Sequence, residues 1–146
     1  MLISQTGTHA LKALAALGGL ADGRYIGAAE LARRVKAPPN YLGKLLRQLS
    51  RAGIVEGRRG GNGGFRLSRS PGSIALYEAL SPIEHLSRVN RCILGRSRCN
   101  GTCAIHRTWA PARDTYLEFL TTATLADLAD RPKKEKAADS AAGGVS

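Results

Sequence analysis

The glycine run Gly60-Gly61-Asn62-Gly63-Gly64 most constrains what this chain can fold into. Glycine loses more backbone freedom on ordering than any other residue, so such a run neither sustains a helix nor fills a core. It can form the tip of a turn. Ile54-Val55-Glu56-Gly57-Arg58-Arg59 precedes it and Phe65-Arg66-Leu67-Ser68 follows it. Two short strand-like segments around a glycine tip read as a β-hairpin. A phosphate-cradling nucleotide loop would need Gly-Lys-Ser/Thr, or a strand before and a helix after. Here strand follows strand, which argues against nucleotide binding.

Three helical patterns stand before the hairpin. From Thr8 to Leu20, Ala10, Leu11, Leu14, Ala15, Leu17 and Gly18 recur at helical spacing, up to a turn signal at Asp22-Gly23. Ile26 to Val35 carries a second stripe, with Gly27 or its neighbours starting the helix. Pro38-Pro39 breaks the chain before a third helix from Asn40 to about Ala52, capped by Gly53. Leu42, Leu45, Leu46 and Leu49 form its buried face, while Lys44, Arg47, Gln48 and Arg51 occupy much of the rest. Helix, helix, basic third helix and glycine-tipped hairpin together describe a winged helix-turn-helix.

That architecture gives the charge a purpose. The formal net charge is +11, and residues 1–80 hold 12 Lys and Arg against 4 Asp and Glu. A polyanion is the expected partner of such a face. A third helix in the major groove places its first turns near base edges. The candidate DNA contacts are therefore Asn40, Tyr41, Lys44 and Arg47, with Tyr41 either reading bases or half-buried against the second helix. Arg58 and Arg59 flank a tip without bulky side chains, so they can approach the backbone or enter a narrow minor groove.

The second half carries a different chemistry. Its three cysteines, Cys92, Cys99 and Cys103, are the only ones in the chain, and His106 follows. Three thiols and an imidazole are enough to close a tetrahedral metal site or hold an iron–sulfur cluster. The stretch reads as a loop running into a helix, with Cys103 and His106 at i, i+3 on one face of its first turn. The helix N-terminus and Arg91, Arg96, Arg98 and Arg107 should favour thiolates and an anionic cluster. Zinc and a bare thiol switch remain open at this point. His9 and His85 lie outside the group.

Around the cysteines, Ile74 to Leu80 reads as a helix with Ser73 as its N-cap, interrupted by Pro82. A longer helix is expected from Ala104 to Thr122, with Trp109, Ala112, Tyr116, Phe119 and Leu120 on one face. This half offers little else to bury that stripe, so a second copy of the chain is the natural partner. Thr124 to Ala129 reads as a short last helix, and 131–146 as a disordered tail. The expected units are 1–82, the winged helix; 83–106, the cysteine loop; and 107–130, the dimerisation helix and terminal helix. No apolar run approaches the ~20 residues of a membrane span. No secretory signal stands at the N-terminus, so the expected location is cytoplasmic, where clustered thiols stay reduced. No nucleophile–base pair or paired carboxylates stand out, so an enzyme is not expected.

The chain resembles the Rrf2 family of bacterial transcription regulators over roughly residues 2–130. The resemblance rests on Thr8-His9-Ala10-Leu11-Lys12-Ala13-Leu14, on Ala52-Gly53-Ile54-Val55-Glu56 after the leucine helix, and on the wing Arg59-Gly60-Gly61-Asn62-Gly63-Gly64-Phe65-Arg66-Leu67. The three cysteines before a long helix and the late Thr124-Leu125-Ala126-Asp127-Leu128 complete it. It implies a mainly α fold, a homodimer on a palindromic operator, and a long C-terminal helix that crosses to the partner chain. It implies an iron–sulfur cluster on Cys92, Cys99 and Cys103, with His106 as fourth ligand in the IscR-like manner. Other members use an aspartate in the first helix, where this chain has Thr8. An acidic residue of the IscR-like recognition helix is replaced by Gly43. The expected cofactor is a [2Fe-2S] cluster ahead of [4Fe-4S], with zinc as the alternative, and its state would control operator binding in a repressor or activator.

Overall fold

The computed structural model describes residues 2–20 and 23–129. Helix α1 spans Gln5–Gly18. It begins before the expected Thr8 because Ser4 caps it, the Ser4 Oγ accepting the Gly7 N–H at 3.0 Å. Of the expected turn at Asp22-Gly23, Asp22 lies outside the described residues. Helix α2 spans Ala28–Val35 and starts two residues later than Ile26. Ile26 is instead extended: its N–H donates to the Phe65 carbonyl at 3.0 Å, and its carbonyl accepts from Phe65 N–H at 2.8 Å.

Helix α3 spans Pro39–Arg51 and buries Leu42, Leu45, Leu46 and Leu49. Each leucine removed from water contributes about 1.5–3 kcal/mol. Ala52 is the C-cap, and Gly53 ends the helix as expected: its φ is +78°, its N–H donates to the Ser50 carbonyl at 3.0 Å, and the Ile54 N–H donates to the Leu49 carbonyl at 3.0 Å. These side chains join Ala10, Leu14 and Leu17 of α1 and Leu31 and Val35 of α2 in one core.

Strands β1 (Val55–Arg58) and β2 (Gly64–Leu67) form the antiparallel wing, with Val55 opposite Leu67 and Arg58 opposite Gly64. Ile26 bridges to Phe65 on the free edge of β2. The bridge explains Gly64, whose φ is +136° and where a Cβ would overlap the Ile26 carbonyl. The wing is therefore stitched to the segment that leads into α2.

After the wing the chain departs from one expectation. Ser73 does not cap a helix: it closes a 3-10 turn, Pro71–Ser73, and its hydroxyl donates to the Ser70 carbonyl at 2.7 Å. Ile74 and Ala75 stay extended because they pair with residues 123–125, the segment between the last two helices. The Leu125 N–H donates to the Ile74 carbonyl at 3.0 Å, and Leu76 N–H donates to the Ala123 carbonyl at 2.9 Å. Helix α4 is thus only Leu76–Leu80. Helix α5 spans Ala104–Thr122 and α6 spans Leu125–Ala129.

Leu120 and Leu125 are fully buried in the same core as the leucines of α1 and α3. The rest of the α5 stripe is less covered: Trp109 and Tyr116 are half-buried, while Ala112 and Phe119 are exposed. The reason is length. At about 1.5 Å rise per residue, the five residues of α4 cannot cover the nineteen of α5. Among the described residues no helix is long and apolar enough to cross a membrane. The expected tail, 131–146, lies outside the described residues.

Candidate functional site: a basic reading face and a cysteine loop

On α3, Asn40, Lys44 and Arg47 are exposed, as are Arg58 at the end of β1 and Arg59 in the wing tip. Arg34, Arg66 and Arg69 form ion pairs with Glu30, Glu56 and Glu78. Lys44, Arg47, Arg58 and Arg59 form none among the described residues. Their charge is uncancelled, which is what phosphate contact requires. Tyr41 is half-buried. Its ring meets His9 of α1 edge-on, with centroids 5.6 Å apart. The Nδ1 of His9 is buried without a hydrogen-bond partner among the described residues.

The segment leading to the cysteines is tied down at three points. Gln48 of α3 donates from Nε2 to the Pro82 carbonyl at 2.6 Å. The backbone N–H and hydroxyl of Ser4 both donate to Glu84 Oε1, at 2.9 and 2.5 Å. Leu86 is buried at the start of a second 3-10 turn, Leu86–Asn90.

Beyond that anchor the loop builds its own geometry. The Gly95 N–H donates to the Cys92 carbonyl at 2.9 Å, closing a turn around Cys92. The backbone N–H of Arg96, and then that of Leu94, hold the Cys92 thiol below its ordinary pKa against the opposing effect of burial, and the Cys99 thiol and the Arg96 charge add lesser amounts. Asn100 Oδ1 accepts from the N–H and hydroxyl of Thr102 at 3.2 and 2.8 Å, which shapes the short interval between Cys99 and Cys103.

Cys103 is the N-cap of α5, and its Sγ accepts the His106 N–H at 3.3 Å. The imidazole turns the other way, with Nδ1 3.6 Å from the Sγ of Cys99. Cys103 and His106 therefore share the first turn as expected, but through thiol and backbone rather than as two parallel prongs. His106 thus touches two of the three cysteines, Cys99 through its ring and Cys103 through its backbone. Among the described residues no three His, Cys, Asp or Glu side chains converge on one ion-sized point. All three cysteines are free. Arg91, Arg96, Arg98 and Arg107 are exposed around them, and none is ion-paired among the described residues. Thr8 spends its hydroxyl on the Ser4 carbonyl of its own helix, at 3.1 Å.

Sequence reasoning grouped Cys92, Cys99, Cys103 and His106, of which the structure brings Cys99 and Cys103 to His106, and it picked out the basic residues. It missed Tyr25, Gln48 and Glu84, which act through tertiary contacts. Glu84 had no local signal at all. Gln48 was visible only as one polar residue on an otherwise basic helix face.

Comparison with known proteins bears on both halves of the site. The model of the Rrf2 family, described as iron-dependent transcriptional regulators, matches residues 3–131. A protein of Aquifex aeolicus described as an HTH-type transcriptional regulator is 28% identical over 138 residues, covering 92% of this chain and 95% of its own. Among solved structures, CymR, the global cysteine regulator of B. subtilis, is 26% identical with a TM-score of 0.72, over 87% of this chain and 95% of that one. IscR of T. potens shares the fold at 22% identity and a TM-score of 0.70, over 99% of this chain and 91% of that one. The family match spans the winged helix, the cysteine loop and the long helix alike: the chain belongs to the Rrf2 family of transcriptional regulators, which are DNA-binding proteins and not enzymes.

Proposed function

We propose that this chain is a cytoplasmic, homodimeric regulator that binds a palindromic operator under the control of an iron–sulfur cluster held by Cys92, Cys99, Cys103 and His106. The observation that carries the reading is the placement of the Cys99 thiol 3.6 Å from His106 Nδ1, with Cys103 capping the same helix turn. Three thiols and an imidazole are the donor set such a cluster takes, and the N-terminus of α5 and four unpaired arginines favour anionic charge there. A cluster of this kind, when bound, supplies an oxidisable centre whose loss or change of charge can be read by the protein.

The spread of the donors, with Cys99 at the His106 ring and Cys103 at its backbone, favours a cluster of several irons over one zinc. Zinc draws all four ligands to about 2.0–2.3 Å from one centre. A two-iron cluster distributes its ligands over two metals. With the family resemblance, [2Fe-2S] stands ahead of [4Fe-4S], and a zinc staple is the alternative. The uncovered α5 residues support the dimer: Phe119 is 49% and Ile105 48% exposed on a helix otherwise docked through Leu120. On the DNA side, Asn40, Tyr41, Lys44 and Arg47 form the reading helix face, and Arg58 and Arg59 serve the wing.

Anaerobic purification followed by elemental analysis tests the cofactor. Iron and acid-labile sulfide with a visible spectrum, lost in each of Cys92→Ala, Cys99→Ala and Cys103→Ala, is the expected result. Zinc without sulfide selects the zinc-stapled regulator, and neither metal selects a thiol-redox regulator. An unchanged spectrum in all three variants overturns the ligand assignment.

A further inference from the structure

Tyr25 lies in the extended segment between α1 and α2, half-buried, with neither a core position nor a place near the cysteines. Two guanidinium groups face its ring. The Arg66 carbon lies 4.6 Å and the Arg58 carbon 5.6 Å from the ring centre. The hairpin register explains why. Glu56 pairs with Arg66 and Arg58 with Gly64, so Glu56, Arg58 and Arg66 share one face of the wing. The two backbone hydrogen bonds between Ile26 and Phe65 hold the neighbouring Tyr25 over that face.

The two arginines are not equivalent. Arg66 is committed: its Nε and Nη2 both lie 2.9 Å from Glu56 Oε2, and its Nη1 reaches the Gly23 carbonyl at 3.4 Å. Arg58 makes no ion pair among the described residues. A carboxylate would also hold Arg58 in place, but it would cancel the charge and repel a phosphate. An aromatic ring attracts the cation through its quadrupole and carries no net charge.

We propose that Tyr25 is a positioning residue for the wing: its ring orders Arg58 at the tip end of β1 while leaving its full charge free for a DNA backbone phosphate. This rests on the proposed DNA-binding reading.

The test uses the full chain, purified without oxygen, and a fluorescent duplex of mixed sequence titrated at several salt concentrations. Tyr25→Leu should weaken binding about 2- to 5-fold, the size of an exposed cation–π contact, and flatten the salt dependence by up to about 0.9 in log–log slope. Tyr25→Phe should retain wild-type binding and slope, because the ring face is kept. In an Arg58→Ala background, Tyr25→Leu should add nothing further. Wild-type affinity and slope in Tyr25→Leu, or an equal loss with and without Arg58, overturns the inference. A wild-type chain that fails to bind the duplex rejects the DNA-binding reading itself. Should Tyr25→Leu lose its fold, proton NMR of the wild-type chain decides. Upfield ring-current shifts of the Arg58 side chain support the stacking, and random-coil shifts overturn it.

Discussion

Gln48 on the reading helix donates to the Pro82 carbonyl at 2.6 Å, although 34 residues separate them in sequence. Pro82 begins the segment that runs to the cysteines, and Glu84 two residues on is held by Ser4 at the start of α1. On the proposed reading, these two short contacts would carry a movement of the cysteine loop to α3 and to α1. Gln48→Ala should cost about 0.5–1.5 kcal/mol in chemical denaturation, toward the low end because the site is exposed. It should also narrow the ratio of DNA affinities between cofactor-loaded and cofactor-free protein. Coupling between two sites is typically about 1–3 kcal/mol, or 5- to 150-fold in affinity. An unchanged ratio in fluorescence titrations would assign the hydrogen bond to the scaffold alone.

Ser4 has two tasks, capping α1 through Gly7 and holding Glu84. Ser4→Ala removes the cap, a change that costs about 0.5–2 kcal/mol. Glu84→Gln leaves the cap in place and weakens only the charge-assisted part. A double-mutant cycle on thermal unfolding should show non-additivity between the two positions; strictly additive losses would mean the tether is not formed in solution.

Gly43 sits inside α3 with open space where a Cβ would stand. Glycine inside a helix costs roughly 0.8–1 kcal/mol relative to alanine. Gly43→Ala should therefore stabilise the fold by up to about that amount. A new methyl on the face expected to enter the major groove should at the same time weaken DNA binding. Higher Tm with lower affinity is the expected pair of outcomes, and a gain in both would place Gly43 away from the duplex.

The apolar stripes of α1, α2 and α3 and the extent of α5 were readable because local period decides them. Leu42, Leu45, Leu46 and Leu49 can be buried together only on a helix. The wing was readable because five residues of glycine and asparagine permit little else. Misplaced boundaries share one cause. Ile26 and Ile74 are apolar residues beside helical patterns, yet each is extended because a distant backbone, Phe65 or Leu125, pairs with it. Such pairing leaves no mark on either local segment. The site divides in the same way. Spacing was enough to join Cys103 with His106, but the turn of the imidazole toward Cys99 depends on a loop whose path only tertiary structure shows. Tyr25 was overlooked because its meaning lies in the face shared by Glu56, Arg58 and Arg66.

Tyr116 anchors the chain's first residues to α5, its hydroxyl donating to the Leu2 carbonyl at 2.8 Å. Burial, and then the Glu84 charge, push its pKa above the ordinary 10.0. A raised folded-state pKa favours the protonated phenol, so its contribution is fully present below pH 10.0 and is lost as pH rises through the higher native value. Tyr116→Phe should lower stability near neutral pH by about 0.5–1.5 kcal/mol. It should also reduce the alkaline loss of stability relative to wild type. Parallel wild-type and variant curves in alkaline denaturation would exclude this role.

The Cys92 thiol offers a test of the loop before any cofactor binds. Its pKa lies below the ordinary value chiefly through the backbone N–H groups of Arg96 and then Leu94; the Arg96 side-chain charge is the smallest cause. Lowering a thiol pKa moves thiolate-dependent chemistry to lower pH, because the anion is the nucleophile. In cofactor-free protein, the pH profile for iodoacetamide labelling of Cys92 should therefore lie below that of a free cysteine. Arg96→Ala should shift it only slightly, since the backbone donors stay. Gly95→Ala should move it up, because Gly95 holds the turn with a φ of +69° that alanine adopts at a cost. Disturbing that turn turns both N–H groups from the sulfur. If Arg96→Ala shifts the profile more than Gly95→Ala, side-chain charge and not turn geometry activates Cys92. The loop would then be a loose chain of cysteines rather than a preformed ligand platform.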